Sequence, residues 1–275
     1  MGKFDGFLIL SDIDGTFVSK NNEEIENGKA VKYFIENGGR FSFATGRMIE
    51  HIKEKEFTSL INAPACLYNG GMIYDYETDR VLYEGRVNFS MREFMEYSRE
   101  FIGNAVSVNF FYKNGDYSSV LVPVAEADDF LENGSDIIDI PPIKVIVRFS
   151  DVLSADEFKA RAKSKPEFGG SYVSKSWAIG VEFNGADSTK GDALDFIKGY
   201  LGNIHTAIGI GDYDNDMSLL LHADVAAAVG NGIEPLKKIA DVITKPANEY
   251  PLRDLINMID SDPERFKNFK KEKRV

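Results

Sequence analysis

The sequence predicts an α/β fold in which a parallel sheet, flanked by helices, is interrupted by an inserted α+β module. Three observations support this class. Strand and helix patterns alternate at both ends of the chain, the middle has paired strand patterns joined by turn residues, and acidic residues directly follow two of the apolar strand candidates. The chain has 275 residues, 43% of them hydrophobic, which is enough for one large domain or two smaller ones.

The first part of the chain alternates strands and helices in the order that a parallel sheet requires. A helical pattern at 23–37 ends at the pair Gly38-Gly39, which is a typical helix stop. The predicted strands are 7–10, 40–44 and 65–68, with a possible hairpin through 72–74 and 81–83.

The middle of the chain has a different pattern, typical of an antiparallel sheet with helices. One turn, Lys113-Asn114-Gly115-Asp116, joins two strand candidates. The predicted helices are 90–101, 124–132 and 156–162. The predicted strands are 106–112, 118–122, 143–149, 171–173 and 178–183.

The alternating pattern returns after Asp187. The predicted helices are 190–201, 217–222, 234–240 and 252–259, and the predicted strands are 207–211 and 225–229. We therefore expect a discontinuous α/β core at 1–85 plus 185–275 and an inserted α+β domain at 86–184.

Composition excludes several classes of function. The net charge of −12 argues against nucleic acid as a general partner, because binding phosphates requires a basic surface. We expect no membrane span and a cytoplasmic location, since the chain lacks a long apolar run and its beginning does not resemble a signal peptide. The basic tail at 267–274 is expected to be solvated, and the single cysteine, Cys66, to be an inert buried thiol.

Two acidic segments follow predicted strands. Asp12 and Asp14 come after the first strand, and Asp212 and Asp216 come after the strand at 207–211. Because the carboxyl ends of parallel strands meet at one edge of a sheet, we expect these carboxylates to converge. Clustered carboxylates repel one another, and Mg²⁺ prefers such oxygen ligands. The sequence therefore predicts a Mg²⁺ site of the kind that phosphoryl transfer uses.

The residues of the first acidic segment suggest specific roles. Asp12 can act as a nucleophile and Asp14 as general acid and then general base. Gly15 allows a tight turn that exposes amides to a phosphate, and Thr16 can cap the next segment. The same Asp-x-Asp-Gly-Thr pattern is also good turn chemistry, so the segment alone leaves both interpretations open.

The chain resembles the haloacid dehalogenase superfamily, and the resemblance covers its entire length. The four segments that carry it, in the order of the family's motifs, are Asp12-Ile13-Asp14-Gly15-Thr16, Thr45-Gly46-Arg47, Lys190 before Gly191, and Gly211-Asp212-Tyr213-Asp214-Asn215-Asp216. The position of the insert, between the second and third motifs, resembles the cap domain of Cof-like sugar-phosphate phosphatases. Asn69-Gly70-Gly71 and Val229-Gly230-Asn231-Gly232 also resemble segments of that branch.

The resemblance implies a Rossmann-like core, Mg²⁺ as cofactor and a role for each motif residue. Asp12 is the implied nucleophile and Asp14 the implied acid/base. The implied metal ligands are Asp12, the Asp14 backbone carbonyl, Asp212 and, directly or through water, Asp216. The groups implied to bind the substrate phosphate are Gly15, Thr16, Thr45, Gly46, Lys190 and Asn215.

Alternative interpretations remain for individual residues. Thr45 could simply begin a helix, since threonine is a good N-cap. Lys190 could be a solvated lysine in the first turn of an amphipathic helix. Arg47 could reach a substrate, an acidic residue of the cap or a structural ion-pair partner. Aromatic residues of the insert could stack on a substrate ring or pack the sheet: Phe110, Phe111, Tyr112, Tyr172 and Trp177.

The leading functional hypothesis is a Mg²⁺-dependent phosphatase that acts on a small phosphorylated metabolite through an aspartyl-phosphate. A phosphotransferase such as a mutase is the nearest alternative, because it would use the same Asp12. A signalling or binding module with a phosphorylatable aspartate is a third, although it would not need the acid/base Asp14. Dehalogenation fits poorly, since it needs neither Asp14 nor Mg²⁺.

Overall fold

The structure, a computed structural model, describes residues 2–19, 24–53, 56–114, 116–133 and 136–269. The chain divides into two compact units. Unit 1 comprises Met1–Tyr83 and Lys190–Val275, and unit 2 comprises Glu84–Thr189. The predicted turn residue Gly115, the helix residue Glu23 and most of the basic tail lie outside the described residues.

Unit 1 alternates strands and helices. Its strands are β1 (Phe7–Ser11), β2 (Arg40–Phe43), β3 (Ala65–Leu67), β4 (Met72–Asp75), β5 (Arg80–Glu84, which ends at the first residue of unit 2), β11 (Thr206–Gly211), β12 (Val225–Ala228) and β13 (Val242–Ile243). Its helices are α1 (Glu24–Glu36), α2 (Ile49–Lys53), α6 (Lys190–Leu201), α7 (Met217–His222), α8 (Glu234–Ile239), α9 (Pro251–Ser261) and α10 (Pro263–Lys267).

The main sheet of unit 1 is parallel, as predicted from the sequence. Its strand order is β13-β12-β11-β1-β2, so that β1 lies between strands from opposite ends of the chain. All five residues of β1 are buried, which explains its continuous apolar run, because helices cover both faces of a parallel sheet. A second sheet, β3-β4-β5, contains the predicted hairpin, and β3 touches the end of β2 through an Ala44–Cys66 bridge.

The strand register places three loops at one edge of the main sheet. The amide of Asp12 donates to the carbonyl of Ile210 (2.9 Å), and the amide of Ala44 donates to the carbonyl of Ser11 (2.8 Å). The carboxyl ends of β1, β2 and β11 therefore lie side by side at the same edge of the sheet. The residues that follow these strands, at 12–16, 45–47 and 212–216, are held at the same edge by main-chain hydrogen bonds.

Unit 2 is an antiparallel sheet with helices, as predicted. Its strands are β6 (Ala105–Asn114), β7 (Asp116–Pro123), β8 (Lys144–Phe149), β9 (Ser171–Trp177) and β10 (Gly180–Gly185), in the order β7-β6-β8-β10-β9. Its helices are α3 (Met91–Ser98), α4 (Ala127–Asn133) and α5 (Val152–Ser164). A phenylalanine-rich core fills this unit, and it includes Phe110 and Tyr112, whereas Trp177 is exposed.

Several local predictions are corrected by the structure. The predicted helix at 124–132 begins as a 3-10 turn, Val124–Glu126, which follows Pro123. The α-helix α4 starts only at Ala127. Thr45 does not begin a helix, since α2 starts at Ile49. The short elements α2, α10 and β13 were not predicted, because each is too short to show periodicity. Among the described residues, no helix is long and apolar enough to cross a membrane.

Candidate active site

Three carboxylates converge at the carboxyl edge of the main sheet. Asp12, Asp212 and Asp216 each place an oxygen within 4.8 Å of the others. Asp12 and Asp216 are buried, and Asp212 is partly exposed. The two acidic segments that the sequence singled out are therefore one site, formed where β1 and β11 end side by side.

Lys190 joins two of these carboxylates. Its Nζ lies 2.7 Å from Oδ1 of Asp12 and 2.6 Å from Oδ1 of Asp216, and the lysine side chain is fully buried. Lys190 is the first residue of α6, so its side chain leaves the helix at the end nearest the site. The next residue, Gly191, lets α6 pack closely on α7, because a Cβ there would lie 2.5 Å from the carbonyl oxygen of Ser218 in α7.

Burial and mutual repulsion alter the ionisation of this cluster. Burial, followed by the charges of Asp216 and Asp212, holds the pKa of Asp12 well above its usual range, although Lys190 opposes this. Burial and the charge of Asp216 raise the pKa of Asp212 to about 7. For Lys190, burial disfavours the ammonium, but Asp12 and Asp216 outweigh it and raise the pKa. When all three carboxylates are ionised, the single ammonium of Lys190 leaves the cluster with a net negative charge.

The fourth motif folds around Asp216. The Oδ2 of Asp216 accepts hydrogen bonds from the amides of Asp212 (2.9 Å) and Tyr213 (3.1 Å), while Oδ1 contacts Lys190. The preceding Gly211 has to lack a side chain, because a Cβ there would lie 2.3 Å from the Cγ of Asp216. Asp216 therefore fixes the turn that presents Asp212.

The first motif forms a tight turn next to Asp212. Gly15 has φ +88°, and its amide donates to the carbonyl of Val18 (3.0 Å). The hydroxyl of Thr16 donates to Oδ1 of Asp212 (3.3 Å). Asn231 donates to the carbonyl of Gly15 (3.2 Å), which ties this turn to the loop after β12.

Asp14 does not continue the alternation of β1, which ends at Ser11. Its carboxylate, which is 64% exposed, accepts two hydrogen bonds from Arg47, from Nε (2.9 Å) and from Nη2 (2.6 Å). The chain turns at Gly15, and the carboxylate of Asp14 does not join those of Asp12, Asp212 and Asp216, which corrects the expectation that all four converge. The partner of Arg47, which the sequence left open, is Asp14.

Thr45 and Asn215 approach the same edge of the sheet. The buried Thr45 accepts a hydrogen bond at Oγ1 from the amide of Arg47 (3.2 Å), and its carbonyl accepts one from the amide of Asn69 (2.8 Å). The side-chain amide of Asn215 donates to Oδ1 of Asn69 (3.1 Å). Gly46 follows Thr45 in the same loop.

The carboxylate cluster fits a divalent cation. Carboxylate oxygens are the ligands that Mg²⁺ prefers, and burial together with mutual repulsion, which raises the pKa of Asp12 and of Asp212, is what a bound cation would offset. The side chain of Asp14 is not part of the cluster, which leaves its backbone carbonyl as the group through which it could bind a metal.

The sequence agrees with one family over nearly the whole chain. The model of the haloacid dehalogenase-like hydrolases matches residues 9–256. The chain belongs to this family. A protein of Streptococcus pyogenes serotype M6, provisionally named a phosphatase, is 24% identical over 261 residues, which cover 88% of this chain and 94% of the relative.

Solved structures of haloacid dehalogenase-like proteins have the same fold. A sugar phosphatase of subclass IIB superposes with a TM-score of 0.73 at 19% identity and covers 92% of this chain and 98% of its own. A haloacid dehalogenase-like hydrolase from B. subtilis has a TM-score of 0.73 at 20% identity, with 91% and 98% covered. The predicted α/β class, with a parallel-sheet core and an inserted α+β domain, is confirmed.

For this hydrolase, sequence reasoning missed the contacts of Asn69 and left the partner of Arg47 open. Asn69 links Thr45 to Asn215, and Arg47 holds Asp14. Asn69-Gly70 does provide a signal, because asparagine and glycine tolerate positive φ, and Asn69 has φ 60°. The sequence offered no comparable signal for the ion pair of Arg47.

Proposed function

We propose that this protein is a Mg²⁺-dependent phosphatase that hydrolyses a small phosphorylated metabolite through an aspartyl-phosphate on Asp12. The observation that carries the proposal is the buried ammonium of Lys190, which contacts both Asp12 and Asp216 within the carboxylate cluster. A nucleophilic carboxylate must approach an anionic phosphate, so it needs adjacent positive charge. Membership of a hydrolase family and the phosphatase name of a relative support the same reaction.

Mg²⁺ would be held by the carboxylates of Asp12 and Asp212 and the backbone carbonyl of Asp14, with Asp216 completing its surroundings. Both oxygens of Asp216 already accept hydrogen bonds, from Lys190 and from two amides, which favours contact through water. When bound, the ion supplies positive charge that lowers the repulsion between the site and the phosphoryl group.

The reaction follows from the positions of Asp12 and Asp14. A carboxylate oxygen of Asp12 attacks phosphorus, the bond from phosphorus to the ester oxygen breaks, and Asp14 gives a proton to the leaving oxygen. Water then attacks the phosphorus of the aspartyl-phosphate, and Asp14 accepts the proton of that water. The bond between phosphorus and Asp12 breaks, which releases inorganic phosphate and restores both aspartates.

Neutral and cationic donors would hold the phosphoryl oxygens during both steps. Lys190 offsets the negative charge of Asp12 and of the phosphoryl group. The hydroxyl of Thr45, the amide of Gly46 and the side-chain amide of Asn215 provide further donors. The amides of Gly15 and Thr16 already donate to the carbonyls of Val18 (3.0 Å) and Ile13 (3.3 Å), so these two residues would shape the turn beside the phosphate without giving it these amides.

Unit 2 is proposed to be the cap domain that selects the substrate, with unit 1 as the catalytic core. Sugar phosphates are the first substrate class to test, because a structure of the same fold is a sugar phosphatase. A cytoplasmic location would give such an enzyme access to its metabolites.

Release of inorganic phosphate from a panel of phosphate esters tests the proposal. The panel includes p-nitrophenyl phosphate and several sugar phosphates, each with Mg²⁺ and with EDTA. We expect Mg²⁺-dependent turnover by the wild type and none by Asp12→Asn. Turnover that survives this substitution would contradict the proposal. Phosphate transfer to an added sugar without release of inorganic phosphate would instead show the mutase alternative.

A further inference from the structure

Arg47 uses only one edge of its guanidinium to hold Asp14. Nε and Nη2 form the two hydrogen bonds to the carboxylate. Nη1 has no hydrogen-bond acceptor in the part of the chain that the structure describes, and it is not an enclosed atom. Because the Arg47 side chain is 22% exposed, this second edge of the guanidinium can be reached from solvent.

Hydrogen bonds on both sides of Arg47 hold its backbone in place. Its amide donates to Oγ1 of Thr45 (3.2 Å), and its carbonyl accepts from the amide of Tyr68 (3.1 Å). These bonds tie the backbone of Arg47 to Thr45 on one side and to the loop after β3 on the other. Because Asp14 also holds the guanidinium through two hydrogen bonds, the side chain loses little freedom when it binds a ligand.

A purely structural role accounts poorly for the Arg47–Asp14 pair. Asp14 is mostly exposed, and ion pairs between exposed groups contribute little to stability. The hydrogen bond to Asp14, with the charges of Asp14 and Asp12, raises the pKa of Arg47 against the effect of burial, so the guanidinium lies within the field of both proposed catalytic aspartates.

The position of Arg47 follows from the role of Asp14 in the proposed reaction. The oxygen of the leaving group has to lie within hydrogen-bond reach of Asp14 in order to receive its proton. Arg47 binds that same carboxylate through Nε and Nη2, and Nη1 is the third nitrogen of the same planar group. Nη1 is therefore a donor close to the expected position of the leaving group.

We propose that the free edge of Arg47 recognises a second anionic group on the substrate, so that the enzyme prefers phosphomonoesters whose leaving group carries a carboxylate or another phosphate. This inference rests on the proposed phosphatase function. Arg47 then has two tasks, since one edge orients Asp14 and the other selects the leaving group. Arginine suits this combination because its donors form a rigid fork that binds oxyanions.

A matched pair of esters tests the inference. 3-(Phosphonooxy)propanoate carries a carboxylate, and 3-(phosphonooxy)propanamide has nearly the same shape without the charge. Binding is measured by calorimetry in Mg²⁺ with Asp12→Asn, which cannot form the aspartyl-phosphate. We expect the carboxylate to bind at least about tenfold more tightly than the amide, as a charge-assisted hydrogen bond allows.

Two double variants show whether Arg47 is responsible. Asp12→Asn with Arg47→Met should bind the two esters within about twofold of each other. Asp12→Asn with Arg40→Met is the control, because Arg40 begins β2 whereas Arg47 follows its end, and this variant should keep the preference. Equal binding of the two esters by Asp12→Asn, binding of neither, or a preference that persists without Arg47 would overturn the inference.

Kinetics of the otherwise wild-type enzyme separate the two tasks. Arg47→Met should raise KM for the carboxylate ester only. It should lower kcat for both esters, because Asp14 loses the two hydrogen bonds that orient it. A lower kcat with unchanged selectivity would mean that Arg47 only positions Asp14. Absence of turnover on every ester, p-nitrophenyl phosphate included, would refute the proposed function, and the calorimetry would still decide the binding preference.

Discussion

The side-chain amide of Asn215 lies 3.1 Å from Oδ1 of Asn69, a residue 146 positions earlier in the chain. The amide of Asn69 also donates to the carbonyl of Thr45. Asn69 therefore connects two of the proposed phosphate-binding residues without belonging to any of the four motifs. It holds a backbone conformation with φ 60°, which most side chains disfavour.

Substitution of Asn69 by glycine tests this connection. Glycine accepts the positive φ, so Asn69→Gly removes the side-chain contact without adding backbone strain. We expect kcat to fall by about tenfold to a hundredfold, because Asn215 loses its side-chain partner, while the main-chain bond to Thr45 remains and the melting temperature changes little. The measurement is steady-state hydrolysis of p-nitrophenyl phosphate with a thermal melt. An unchanged kcat would show that Asn215 needs no such support.

Removal of the Lys190 charge should destabilise the fold in a pH-dependent way. Lys190→Met leaves Asp12 and Asp216 buried without their cation, which costs about 3 kcal/mol of unfolding free energy when both are ionised. Burial already holds the pKa of Asp12 above its usual range, and protonation of Asp12 relieves the repulsion, so the cost should be smaller at pH 5 than at pH 8. Urea unfolding at both pH values, without metal, measures this. Equal losses would show that the carboxylates do not repel one another in the variant.

Binding of Mg²⁺ should strengthen as the pH rises through about 7, the raised pKa of Asp212. Because the folded protein binds this proton more tightly than the unfolded chain does, the stability that Asp212 contributes is fully present below its ordinary value of 3.8 and is lost as the pH rises through about 7. Mg²⁺ replaces the proton above that pH. Thermal melts from pH 5 to 8 should show a larger stabilisation by Mg²⁺ at the higher end.

Asp212→Asn is the control for this titration, because the amide resembles the protonated carboxyl group. Without metal at pH 8, the variant should melt at or above the wild-type temperature. It should gain much less than the wild type from added Mg²⁺. A metal-free variant that is clearly less stable than the wild type at pH 8 would contradict the raised pKa of Asp212.

A pair of glycine substitutions separates the site from the scaffold. Gly15→Ala adds a Cβ 2.5 Å from Oδ2 of Asp212 at a residue with φ +88°, so it should reduce both stability and Mg²⁺ binding. A Cβ added at Gly199, within α6, would meet no atom of another described part of the chain within 4 Å, so Gly199→Ala should stabilise the fold by about 0.5–1 kcal/mol. Thermal melts with and without Mg²⁺ compare them. Normal metal binding by Gly15→Ala would show that Asp212 can move aside.

The sequence predicts the framework of the site better than its finer contacts. The strands before Asp12 and Asp212 are evident from their apolar runs, and topology then brings these two residues to one edge of the sheet. The orientation of Asp14 and the link through Asn69 depend on turns with positive φ and on partners distant in the chain. Periodicity carries no information about such partners. The two-residue β13 shows the same limit for secondary structure.

The strand order of unit 1 also has a consequence during synthesis. β1 pairs with β2, which is made soon after it, but its other neighbour is β11, which is made only after the whole of Glu84–Thr189. Until then, one edge of this buried, apolar strand has no partner on the nascent chain. A chain that stops within unit 2 would carry this exposed edge and lack both Lys190 and Asp212. Truncated products of this kind should aggregate and should have no partial activity.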